Sequence, residues 1–134
     1  MTESYSDRYE RGRNVLSSMG NDPNGIKGFL ALDPVVGPEI DRMLGEFCFG
    51  DVWSRDGLDL RTRRIVTLTT VATLSRPKYL KTHIRAALEQ GFERREILEI
   101  FVQMIAYAGF PTALSAMDCA GEVFADLDAT ATAD

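Results

Sequence analysis

The chain has 134 residues, 45% of them hydrophobic, and a formal net charge of −5; that is room for one domain with a real core, and a field that repels nucleic acid and anionic membranes. Its polar start, Met1-Thr2-Glu3-Ser4-Tyr5-Ser6, lacks an apolar signal core, and no apolar run approaches the roughly 20 residues that span a bilayer, so the expectation is a cytoplasmic protein with neither nucleic acid nor membrane as partner. Cys48 and Cys119 stand in apolar settings without a Cys-x-x-Cys pair or a nearby histidine, which excludes an encoded dithiol or zinc site and predicts two reduced, packed thiols.

The elements read in chain order as helices. Residues 4 to 19 carry Tyr5, Tyr9 and Val15-Leu16 among charges, an amphipathic helix that the run Gly20-Asn21-Asp22-Pro23-Asn24-Gly25 stops. Ile26 to Leu32 is a short apolar helix broken at Asp33-Pro34. Gly37-Pro38 opens a third, with Ile40, Met43-Leu44 and Phe47-Cys48 at spacings of three and four, ending near Gly50. Asp51 to Gly57 is a turn-rich connection, and Asp59 is a good N-cap for the next helix. From Arg61 to Leu74 β-branched residues abound and local propensity favours a strand. The run is nevertheless too long for a usual strand, Ile65, Leu68, Val71 and Ala72 recur at helical spacing, and no second strand exists to pair with it, so a helix is predicted.

Ser75 is placed as the N-cap and Pro77 in the first turn of a helix that runs to Glu89 or Gln90 and closes on Gly91. Glu93 to Ala108 is a helix with two apolar stripes, Ile97, Phe101, Met104 and Ala108, and Leu98, Val102 and Ile105; two such faces imply burial in a core or at a subunit interface. Gly109-Phe110-Pro111 breaks it. Thr112 to Leu127 is the last helix, before a flexible tail from about residue 128. The sum is an all-α, single-domain chain of six to seven helices.

Two segments stand out: Gly50-Asp51-Val52-Trp53-Ser54-Arg55-Asp56-Gly57-Leu58 with Arg61-Thr62-Arg63 after it, and His83-Ile84-Arg85-Ala86-Ala87-Leu88-Glu89-Gln90-Gly91. Together they resemble the carboxymuconolactone decarboxylase family, whose members share the all-helical fold of alkylhydroperoxidase D. Arg95-Glu96-Ile97 and Tyr107-Ala108-Gly109-Phe110-Pro111 extend the likeness, which covers roughly residues 9 to 125. Where the peroxidase branch has its Cys-x-x-Cys pair, this chain has Arg76 and Tyr79, so disulfide reduction is excluded by missing atoms and the decarboxylase branch is implied. Asp51 stands where that branch has glutamate, and residues 26 to 38 do not look like it. The resemblance implies a trimer or hexamer and a reaction without a cofactor: loss of CO2 from a small carboxylated lactone, leaving a dienolate that takes up a proton.

His83 is the lone histidine, and its ordinary pKa near neutrality makes it the candidate proton donor, loaded as an imidazolium and recharged from solvent. A histidine packed into a core without chemistry is the competing reading. Asp51 is placed beside it as an orienting carboxylate, or else as a turn residue. Arg55, Arg63 and Arg76 are candidate carboxylate ligands, because a guanidinium pairs bidentately and stays charged. Arg85 lies two residues from His83 and points elsewhere on a helix. Arg61, Arg63 and Arg64 also read as a surface or intersubunit ion-pair cluster. Phe49, Trp53 and Tyr107 are candidate walls that exclude water from the substrate, with core or interface packing as the alternative. Glu46 reads mainly as a surface carboxylate.

Overall fold

A computed structural model describes residues 4–133. Six α-helices, a short 3-10 segment and a π-helical stretch account for its regular structure, and no strand occurs among the described residues. The chain divides between Leu60 and Arg61 into two compact units.

In the first unit α1 spans Asp7–Ser18, with the Ser6 hydroxyl accepting the Tyr9 amide as its N-cap. The short helix expected at Ile26 to Leu32 is a 3-10 turn, Gly25–Phe29. α2, Val36–Met43, passes directly into a π-helical stretch, Leu44–Trp53, so the helix expected to end near Gly50 continues, and the connection that reads as starting at Asp51 begins after Trp53. Glycines explain the close fit here. A Cβ on Gly45 would enter the Tyr9 ring, and one on Gly50 would meet the Arg8 carbonyl, so both positions let α1 approach the backbone. Tyr9, Leu16, Met19, Ile26 and Trp53 form this unit's core, with Cys48 and Phe49 against it. Tyr9 donates its hydroxyl to buried Asp41 at 2.7 Å, and Lys27 donates to the same hydroxyl at 2.9 Å and to that of Tyr5 at 2.6 Å. A buried carboxylate is tolerated because these groups supply donors and charge around it.

The second unit holds α3, Leu60–Thr73; α4, Pro77–Glu89; α5, Arg94–Ala108; and α6, Phe110–Ala133. The threonine-rich α3 is helical as predicted. Thr67, Thr69, Thr70 and Thr73 each donate their hydroxyl to the carbonyl four residues back, which satisfies the polar atom within the helix itself. Its inward stripe is Arg64, Leu68 and Ala72, whereas Ile65, placed on that stripe by the sequence reading, is exposed.

Ser75 is not the cap of α4: it takes a left-handed turn at φ 55°, and Arg76 occupies the cap position. α5 starts one residue after Glu93, which forms a reciprocal capping box with Glu96. Ile97, Phe101 and Met104 are buried, while Leu98 and Ile105 pack on the core's edge and Val102 remains exposed. Gly109 turns the chain at φ 90°, and Pro111 falls in the first turn of α6, where its missing N–H costs nothing. α6 then continues to Ala133 through the stretch that reads as a tail, and Arg94 holds Asp128 at 2.7 Å.

Candidate functional site

The polar feature of the second unit lies between α3 and α4. Arg64 occupies an apolar stripe position and is 1% exposed, so its charge must be met by protein groups. Its Nη1–H donates to Nδ1 of His83 at 2.8 Å, and its Nε–H to Oε1 of Gln90, the residue that ends α4, at 3.0 Å. A guanidinium has donors only. Nδ1 therefore offers its lone pair, and the neutral imidazole carries its hydrogen on Nε2.

Burial lowers the pKa of His83, and the Arg64 guanidinium lowers it further, to about 4. Burial also pulls Arg64 down to about 10 against the attraction of Glu89, which leaves it cationic at neutral pH. His83 is thus neutral at pH 7 in the resting protein, without the readily loaded imidazolium fraction that its ordinary pKa of 6.5 would give.

The folded value of about 4 lies below the ordinary 6.5, so the unfolded chain binds the extra proton first. The stabilisation is complete above pH 6.5 and is lost as the pH falls from there through 4. Denaturant unfolding at pH 7.5 and 5.0 is expected to show a loss of about 2 kcal/mol from this residue, a loss absent in His83→Asn. Equal acid sensitivity of both proteins in that window would contradict the assignment.

In the first unit Asp51 lies in the last turn of the π-helical stretch. Arg8 donates two bonds to its carboxylate, at 3.0 and 2.5 Å, and Arg11 a third at 3.1 Å. The Arg8 hydrogen bond is the main cause holding this carboxyl below its usual range. Arg8 and Arg42 also pair with Glu46, which accepts from the Ser6 hydroxyl as well. Arg11 reaches past Asp51 to the Gly50 carbonyl at 2.7 Å, and the Ser54 hydroxyl donates to the same oxygen. Trp53 is buried, with Phe49 tilted against it at 5.6 Å between ring centres. Arg55 is exposed just beyond.

Of the other candidates, Arg63 is half-buried on α3, one position before Arg64 and so turned away from it around the helix. Arg76 is exposed at the start of α4 and donates to the Leu74 carbonyl at 3.2 Å. Tyr107, 87% exposed, lines an apolar groove of about 620 Å³ between α3 and α5 together with Ile65, Thr69, Ile100 and Met104. Glu96, at the edge of that groove, pairs with Arg61, whose guanidinium stacks 3.9 Å over Phe92. Arg85 pairs with Asp126. Among the described residues no group of three or more histidine, cysteine or acidic side chains is placed to hold a metal ion. Both thiols are raised in pKa by burial. No helix among the described residues is long and apolar enough to cross a membrane.

Read from the sequence, Arg64 belongs to a surface cluster; it is buried instead. The signal was present: Arg64 precedes Leu68 by one turn and Ala72 by two, which puts a cation on the buried stripe. Gln90 is less legible, since its role depends on where the end of α4 comes to lie beside α3.

Fold and site together define a small all-helical protein in which one histidine is backed by a buried arginine. The carboxymuconolactone decarboxylase family model matches residues 38–122. The chain is 32% identical over 120 residues, 90% of its length and 89% of the relative's, to 4-carboxymuconolactone decarboxylase of Acinetobacter baylyi. It is 35% identical over 94 residues to an uncharacterised 15.0 kDa protein of Paracoccus denitrificans, covering 68% of this chain and 69% of the other. It is also 32% identical over 75 residues to nitrosuccinic acid decarboxylase of Metarhizium robertsii, covering 56% and 52%. The chain belongs to the carboxymuconolactone decarboxylase family.

Proposed function

We propose that this protein is a cofactor-independent carboxy-lyase that decarboxylates a small carboxylated lactone, 4-carboxymuconolactone first among the candidates, with His83 as the hydrogen-bearing group at the reacting centre. The observation that carries the reading is the similarity to a decarboxylase of that name across 90% of the chain. Losing CO2 from such a lactone leaves an electron pair that spreads through the ring onto the carbonyl oxygen. What the site must supply is a place for the carboxylates, a donor for that oxygen and a proton for carbon. The Nε2–H of His83 is suited to meet the developing charge, and Arg63 and Arg76 of the same unit are the candidate carboxylate ligands. Tyr107, on the apolar groove of α3 and α5, is the candidate wall within this unit. The exposed apolar residues Val102 and Tyr107 of α5 support self-association, for which the family resemblance implies a trimer or hexamer.

A second substrate reading rests on the nitrosuccinic acid decarboxylase relative. A nitro acid that loses CO2 also places an electron pair on oxygen, in a nitronate, so one hydrogen-bond donor serves both chemistries. The deciding assay incubates the purified protein, without added metal or cofactor, with 4-carboxymuconolactone and separately with nitrosuccinate, following CO2 release and substrate absorbance. Turnover of the lactone is the expected result; turnover of nitrosuccinate alone moves the substrate class, and no CO2 from either overturns the carboxy-lyase reading.

A further inference from the structure

We propose that Arg64 is the positioning residue of this site: by donating to Nδ1 it locks His83 as a neutral imidazole with its hydrogen on Nε2, so that His83 acts as a hydrogen-bond donor to the oxygen that gains charge and not as an imidazolium acid. The functional half of this statement rests on the carboxy-lyase reading above; the structural half stands without it.

The geometry is specific. Arg64 is fixed at two points, by His83 Nδ1 at 2.8 Å and Gln90 Oε1 at 3.0 Å, and is buried among Leu68 and Ala72 of the same helix face. An imidazolium would turn an N–H toward the Nη1–H of Arg64, bringing two donors and two positive charges together where little water screens them. Glu122 and Asp126 of α6 hold Lys81 and Arg85, each two residues from His83 and so turned away from it around the helix; Glu96 and Arg94 of α5 pair with Arg61 and Asp128. Glu89, next to Gln90, acts on Arg64 and keeps it charged. No carboxylate among these is bonded to His83 to favour its charged form.

The carboxylate C–C bond breaks, its electron pair moves through the ring to the carbonyl oxygen, and CO2 leaves. The Nε2–H of His83 hydrogen-bonds that oxygen and stays on nitrogen. The proton that completes carbon comes from water, the electron pair returns to the new C–H bond, and the hydroxide left behind combines with the released CO2 as bicarbonate. A neutral donor held in place needs no reloading between turnovers.

His83 is the only histidine, so the protein labelled with 15N-histidine gives one pair of ring nitrogens to follow. Wild-type protein without substrate is expected to show a protonated Nε2 and an unprotonated Nδ1, unchanged from pH 8 to pH 5. Arg64→Met removes charge and donors while keeping an apolar stem, and its histidine is expected to titrate with a midpoint higher by about one unit or more. Arg64→Lys, which restores a charge and a donor, is expected to fall between the two and keeps the comparison open if the methionine variant does not fold. A wild-type Nδ1–H tautomer, a wild-type midpoint between pH 6 and 7, or no change in either variant would overturn the proposal.

The pH dependence of kcat/KM separates this from the carboxy-lyase reading. A profile without a histidine inflection between pH 5 and 8 in wild type, with the inflection about one unit or more higher in Arg64→Met than in wild type, supports the donor role. An inflection near 6.5 in wild type overturns it. The nitrogen spectra decide the locked tautomer even where neither substrate turns over.

Discussion

Replacing His83 with asparagine is expected to lower kcat for decarboxylation about 100- to 1,000-fold, the range seen when one donor to a developing oxyanion is removed, while KM changes little. Asparagine is the informative choice because its side-chain oxygen falls near the position of Nδ1 and still accepts from Arg64, whereas nothing replaces the Nε2–H. A variant with lost turnover and a melting temperature close to wild type at pH 7.5 therefore separates chemistry from folding. His83→Gln completes the comparison: its amide nitrogen reaches toward the Nε2 position, so partial recovery of kcat is expected for a hydrogen-bond donor and none for a proton carrier. Alanine is less useful, since it strips a partner from a buried cation and mixes destabilisation with lost catalysis. Steady-state kinetics on the substrate that releases CO2 provide the measurement. Turnover within twofold of wild type in His83→Asn would remove His83 from the mechanism.

The distinction between a donor and an acid was out of reach of the sequence, and the reason is physical. The ordinary pKa of histidine invites the imidazolium reading, and only the position of a neighbouring cation reverses it. That neighbour is nineteen residues away in the chain and one helix across. Helices were far more legible. The threonine run of α3 was correctly separated from a strand by its length and lack of a pairing partner, but its rotation was set by Arg64 facing inward, which an expectation of apolar-in, charged-out places wrongly. Pro111 and Ser75 show the same limit at the level of turns. A proline marks either the end of one helix or the first turn of the next, and here it is the latter because Gly109 makes the turn. Asp51 is legible as a candidate and Arg8 and Arg11 are not, because their pairing depends on α1 lying along the π-helical stretch, a tertiary fact with no local signature.

That packing is the source of the largest stability effect expected in the first unit. Gly12 faces the π-helical stretch so closely that a methyl group there would overlap the Gly45 carbonyl oxygen and lie 2.9 Å from the Gly50 nitrogen. Both neighbours are backbone. No rotamer change relieves the overlap, and α1 must shift away from residues 44–53, loosening the buried Tyr9 and Leu16 and the Arg8 and Arg11 bonds to Asp51. Gly12→Ala is expected to cost about 3 kcal/mol or more, equivalent to a fall in Tm of roughly 10 °C for a chain of this size. The helical propensity of alanine opposes this by about 1 kcal/mol and is outweighed. Gly121→Ala supplies the contrast: on α6, with no atom near the added methyl group, it is expected to stabilise the protein by about 0.5–1 kcal/mol. Urea unfolding of both variants against wild type tests the pair. An unchanged midpoint in Gly12→Ala would mean that α1 does not rest on the glycine face of the π-helical stretch, and the arginine clamp on Asp51 would lose its structural basis.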